Sequence, residues 1–125
     1  MIRSMIVACA LLSLASLGAH ASDECPITPL GREELIAAIT QAPACRSSFA
    51  ILSACRYNAG GDVELAGIVT ERCEKTFLST LKPAAKRAYA KARKACERKY
   101  ARKQGTMYVS AQVICEAEAA VRFAK

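Results

Sequence analysis

From residue 31 onward apolar side chains recur every three or four positions, and no run alternates apolar and polar residues as a half-buried strand would. Leu35, Ile36 and Ile39 mark a first helix over 31–42, with Glu33 and Glu34 suited to its N-terminal dipole and Pro43 ending it. A second helix is expected over 45–57, burying Cys45, Phe49, Leu52 and Cys55, with Asn58-Ala59-Gly60-Gly61 as its stop. Asp62 reads as the N-cap of a third helix with Glu64 in its first turn and Leu65, Ile68, Val69, Cys73 and Phe77 as its stripe. Ser79 or Thr80 would cap a fourth, Pro83 falling in its first turn and Ala85, Tyr89, Ala92, Cys96 and Tyr100 facing inward. Gly105 ends that helix, and Thr106 would cap a fifth that buries Met107, Ala111, Ile114, Cys115 and Val121. The pattern is all-α: a single domain over 22–125, built as a small antiparallel bundle of about five helices.

The start of the chain reads differently. Arg3, the apolar stretch 5–17 and Ala19-His20-Ala21 form a secretory signal with an A-x-A cleavage motif, so residues 1–21 are expected to be removed. Thirteen residues make a helix of about 20 Å, short of a ~30 Å hydrocarbon core. No transmembrane anchor is therefore expected after cleavage, and the product belongs in the periplasm or the medium.

Cleavage also settles the cysteine count. Seven cysteines become six when Cys9 leaves, and an even set in a small exported chain signals a disulfide framework. Six allow 15 pairings, which helical-hairpin geometry narrows. Cys96 and Cys115 lie nine and ten residues from the Gly105 turn, while Cys45 and Cys73 each lie fourteen from Ala59. Cys55, at the end of the second helix, should meet the start of the first, just after Cys25. The expected bridges are Cys25–Cys55, Cys45–Cys73 and Cys96–Cys115. Metal binding is not expected, for there is no C-x-x-C and His20, the one histidine, leaves with the signal.

Loss of that histidine removes Ser-His and Cys-His arrangements, and no glycine-rich phosphate loop precedes a helix. Glu71 and Glu74 share a helical face, but Arg72 and Lys75 beside them favour a solvated surface over an acid pair. Neither catalysis nor a cofactor is expected.

Charge is what remains. The chain from residue 22 has 17 Lys and Arg against 11 Asp and Glu, a net +6. Residues 82–103 alone hold ten bases and one acid, +9, leaving −3 elsewhere. Arg87, Lys91, Lys94, Arg98 and Arg102 form one stripe, whose like-charged i,i+4 pairs each destabilise an isolated helix by roughly 0.2–0.5 kcal/mol. Such a face fits an anionic envelope polymer or lipid. Solubility, or an internal match with Glu71 and Glu74, accounts for it somewhat more readily than any specific partner. The alanine-rich inner stripe speaks against membrane insertion, and Tyr89 and Tyr100 on that stripe against base stacking.

Leu81, Ala85-Lys86-Arg87-Ala88-Tyr89, Arg93 and Cys96, followed by Gly105-Thr106-Met107, Cys115 and Arg122, resemble the LprI-type lysozyme-inhibitor N-terminal domain family. The resemblance covers about a third of the chain and implies an exported, cysteine-containing helical protein that binds a lysozyme-type enzyme. Against a basic lysozyme the −3 portion would have to face the enzyme, with Asp62 and Glu64 as the acidic probe. Two readings result: a lysozyme inhibitor-like binding protein, or a polyanion-binding envelope protein using 82–103. A purely structural periplasmic protein is the third.

Overall fold

The structure, a computed structural model, describes residues 24–27 and 31–124. The expected signal at 1–21, with Cys9, His20 and the cleavage motif, lies outside the described residues. Within them the protein is a small all-α bundle of α1 (Arg32–Gln41), α2 (Cys45–Cys55), α3 (Asp62–Phe77), α4 (Pro83–Tyr100) and α5 (Thr106–Phe123).

Helix boundaries follow the punctuation of the sequence, with local corrections. Pro43 stops α1 at Gln41, and the last carbonyls of α1 are satisfied from a distance. The Arg72 guanidinium, on α3, donates to the carbonyls of Thr40 and Ala42, the latter at 2.6 Å. Helix α2 ends at Cys55, two residues before the expected stop. The left-handed residue in the following turn is Asn58, at φ 56°, and neither Gly60 nor Gly61. Asparagine tolerates that region because its amide bonds locally. Gly105 does adopt a positive φ, 111°, between α4 and α5, a conformation that Cβ-bearing residues resist.

None of the expected side-chain caps forms. Asp62 is the first residue of α3, with Gly61 as its cap, and Thr106 is the first of α5, with Gly105 as its cap. Lys82, rather than Ser79 or Thr80, precedes α4.

The core is set by Leu35, Ile39, Leu52, Leu65 and Val69, all fully buried. Phe77, Tyr89 and Phe123 close one end, with ring centroids 5.1–6.2 Å apart. Helix α5 is the centre of the bundle, packing on α3, α4 and α2. Helices α3 and α5 run parallel, since Asp62 meets Ser110 at one end and Phe77 meets Phe123 at the other. With three neighbours, α5 buries a broad arc of Ser110, Ile114, Glu116, Ala117, Ala119, Ala120 and Val121. Its alanines allow the close approach. Met107, expected inside, is exposed because it falls off that arc, and Ala111 and Cys115 are half-buried.

Helix α4 packs its backbone on α5 alone and fully buries only Tyr89 and Cys96. Phe49 and Ile68 are half-buried at the edge of the core. Gly67 lies mid-α3 and exposed, with open space where a Cβ would project. A glycine there destabilises the helix by about 1 kcal/mol relative to alanine.

Three disulfides staple the bundle with the expected connectivity. Cys25–Cys55, Cys45–Cys73 and Cys96–Cys115 have Cα separations of 4.7, 5.0 and 5.7 Å. The first ties the N-terminal segment to the end of α2, the second joins α2 to α3, and the third closes the α4–α5 hairpin.

Candidate functional site

Helix α4 owes its shape to a proline at its first position, a run of alanines and basic residues in its last turn that suit the C-terminal dipole. Arg87, Lys91, Lys94 and Arg98 are exposed on the side of α4 away from Tyr89 and Cys96, and Arg102, expected to extend that stripe, is exposed in the turn after the helix ends at Tyr100. At 1.5 Å per residue, the helical stripe from Arg87 to Arg98 is about 17 Å long. Lys82, Lys86, Lys99 and Lys103 flank it, also exposed. Lys99 and Lys103 lie over the rings of Tyr100 and Tyr108, at 5.3 and 5.8 Å from the centroids.

Of the ten bases in 82–103, Arg93 alone turns inward. Its guanidinium bonds Glu116 at 2.8 Å and Glu74 at 3.3 Å, bridging α4 to both α5 and α3. The Tyr89 hydroxyl donates to Glu74 at 2.6 Å, and the Gln112 amide donates to Glu116 at 3.0 Å. The Glu116 hydrogen bond is the main reason that Arg93 titrates above its ordinary value. Burial, then the Glu74 carboxylate, pushes the Tyr89 phenol above its usual range.

These contacts decide one question left open by the sequence. Glu74 is occupied by Arg93 and Tyr89. Glu71 pairs with Lys75 at 2.8 Å, which holds its carboxyl below the usual value. Neither answers the outer stripe. Among the described residues, Arg93 is the sole base in 82–103 with a carboxylate within ion-pair distance.

The acidic probe is not where the sequence put it. Asp62 is fully buried and cannot meet a partner in this conformation. Its carboxylate accepts from the backbone amides of Tyr57 and Ala59, at 2.8 and 3.4 Å, and from the Ser110 hydroxyl at 2.5 Å. It clasps the α2–α3 turn and fastens it to α5. Glu64 is half-exposed and ion-paired with Arg32 of α1. The two acids that looked adjacent thus have separate, internal partners.

Sequence reasoning missed the cluster of Tyr89, Arg93, Glu74 and Glu116. The signal was present: Tyr89, Arg93 and Cys96 share one helical face, so a cysteine bonded to α5 forces Arg93 into the interface. It missed Ser110 altogether.

A cleft of about 330 Å³ lies between α3 and α5, with Val63, Ala66, Gly67 and Val113 toward one end and Glu71, Glu74, Arg93 and Glu116 toward the other. Among the described residues no group of three or more His, Cys, Asp or Glu could hold a metal ion, and no helix is long and apolar enough to cross a membrane. Three intact disulfides fit an oxidising compartment. Compared with known proteins, the chain matches no family model, no curated protein and no solved structure.

Proposed function

We propose that this is an exported, non-enzymatic binding protein that presents α4 to an anionic polymer or lipid surface of the cell envelope. The observation that carries the reading is the set of five exposed cations, Arg87, Lys91, Lys94 and Arg98 on α4 and Arg102 just beyond it, none of which has a carboxylate within ion-pair distance among the described residues. A row of exposed cations on a helix recognises charge, so binding draws chiefly on counterion release. The inward ion pairs of Arg93 and the Cys96–Cys115 bridge hold the stripe rigid before it meets a ligand.

Five neutralised charges give log affinity a slope of roughly −3.5 to −4.5 against log salt, by the single-strand and duplex coefficients. Lys91→Glu/Arg98→Glu/Arg102→Glu changes six units of charge on an exposed face. At about 1 kcal/mol per basic residue near an anionic surface, that variant should bind vesicles rich in phosphatidylglycerol more than about 100-fold more weakly. Equal binding by variant and wild type would exclude the face as the site.

A second reading, an LprI-like inhibitor of a lysozyme-type enzyme, draws support from the disulfide-closed α4–α5 hairpin, which carries Tyr89, Arg93 and Arg122 of the resemblance. With Asp62 buried and Glu64 paired, such an inhibitor would have to present other groups. Titration of the oxidised protein into a muramidase assay reads it directly, and full enzyme activity at micromolar excess would remove it.

A further inference from the structure

Large apolar side chains exposed singly are ordinary on a protein surface; here they are gathered. Among the described residues five are exposed, and four of them, Tyr57, Val63, Met107 and Val109, lie at the end of the bundle where α3 and α5 begin and α4 finishes. Leu78 alone lies at the opposite end, just after α3. Met107 is 56% exposed and Val109 45%, with Tyr108 half-buried between them. Successive residues of a helix point about 100° apart. These three therefore fan around the start of α5 and do not form a stripe that a neighbouring helix could cover. Ser110 is the first side chain of α5 to turn fully inward.

The charge beside them indicates what they meet. Residues 98–115 hold four bases and no acid. Arg98, Lys99, Arg102 and Lys103 are all exposed, and Lys103 lies over the Tyr108 ring at 5.8 Å from its centroid. A lysine or arginine stem covers apolar surface while its charged head stays in water. An apolar tip rimmed by such residues matches the layers of an anionic bilayer, phosphates outside and acyl chains beneath. Tyrosine suits the boundary between the two. A soluble polyanion would meet the cations but gain nothing from Met107 or Val109, and a second copy of the chain would bring like charge against like. Helix α4 cannot itself lie embedded side-on, because Tyr89 and Cys96 are taken up by the core.

We propose that the anionic surface is a phospholipid bilayer met end-on by the α4–α5 turn, with Met107 and Val109 dipping below the phosphates and Arg98, Lys99, Arg102 and Lys103 bonding to them. This rests on the attachment to an anionic surface proposed above and gives it a target and an orientation. By helical rise, Arg87 and Lys91 lie about 20 and 14 Å before the end of α4 at Tyr100. Both distances exceed the ~8–10 Å over which salt leaves a charge effective. The two bases therefore serve a polymer running along α4 but do little for a bilayer at its tip.

Flotation of the oxidised protein with vesicles of phosphatidylglycerol and phosphatidylcholine in equal parts, set beside binding to inorganic polyphosphate, tests the orientation. Met107→Gln/Val109→Gln should weaken vesicle binding about tenfold by withdrawing two apolar side chains. It should leave polyphosphate binding and the melting temperature unchanged, and Leu78→Gln should alter neither kind of binding. Arg102→Gln/Lys103→Gln should weaken vesicle binding about 30-fold, at about one tenfold-and-a-half step per base near the surface. Arg87→Gln/Lys91→Gln should weaken it far less, whereas polyphosphate should lose equally from either pair. The chain contains no tryptophan, so Tyr108→Trp supplies a single reporter whose emission should move to the blue on vesicles and stay put on polyphosphate. Vesicle binding that Met107→Gln/Val109→Gln leaves intact, or a reporter whose emission does not move, overturns end-on insertion while leaving attachment by charge in place. Binding to neither vesicles nor polyphosphate overturns both.

Discussion

Asp62 shows how far a single residue's role depends on one step of register. As a cap it would have bonded forward into α3; as the first helical residue it bonds backward, to the amides of Tyr57 and Ala59, and across to Ser110. A buried carboxylate is tolerated only when its oxygens are occupied, and here both are. Asp62→Ala should therefore do more than remove a cap. It leaves two amides and a buried hydroxyl without their acceptor, at roughly 1–3 kcal/mol for each group that cannot reach water. The Tyr57 amide lies near the surface, so the expected total is about 2–4 kcal/mol. Ser110→Ala removes one donor to the same carboxylate and should destabilise by about 1–2 kcal/mol. Because both act on one carboxylate, the double variant should lose less than the sum of the two. Urea unfolding of the three variants measures this, and strict additivity would show that Asp62 and Ser110 act independently. Nothing in the sequence announced the pair: 48 residues separate the partners, and serine on a helix reads as ordinary surface.

At the scale of elements, the sequence was most legible where chain punctuation is strongest. Pro43, Pro83 and Gly105 each restrict the backbone by their own covalent structure, so the end of α1 and the start of α5 fall within a residue of expectation, while α4 starts at Pro83 and ends at Tyr100, short of the Gly105 expected to stop it. The disulfides were legible for a related reason. Two helices joined by a short turn have one antiparallel register, and Cys96 and Cys115 sit almost symmetrically about Gly105. What could not be read was how each helix rolls about its axis. Helix α5 has three neighbours, so its buried arc is wide enough to take in Ser110 and Glu116 while excluding Met107. A hydrophobicity pattern reports the centre of such an arc poorly when alanine fills most of it, because alanine is as acceptable outside as inside. The same weakness hid the inward turn of Arg93. The outer stripe of α4 was legible because it needs no partner: lysine and arginine at that spacing remain exposed unless a carboxylate calls them in. The acidic probe failed because it depended on Asp62, whose burial is a property of the whole bundle.

For the molecule as a whole, the three bridges should decide whether the chain folds. The buried core is small, and α4 contributes only Tyr89 and Cys96 to full burial. The exposed cations of α4 repel one another as well. Against this stand three closed loops with sequence separations of 30, 28 and 19. In the chain-entropy account each withdraws about 3–4 kcal/mol of freedom from the unfolded state, or about 10 kcal/mol together. That is as large as the usual total stability of a domain, about 5–15 kcal/mol. Reduction and alkylation should then leave a chain with residual helix, carried by the alanine-rich α4 and α5, but without cooperative thermal unfolding. Circular dichroism shows the first and calorimetry the second. The loss should begin in α4: freed from Cys115, its C-terminal half retains no buried residue, whereas α2 and α3 keep Leu52, Leu65 and Val69. Hydrogen exchange on protein reduced at only the Cys96–Cys115 bridge, as in Cys96→Ser/Cys115→Ser, should show protection lost first over 97–104. A reduced chain that still melts in one sharp transition would mean that packing around α5, rather than sulfur, holds the fold.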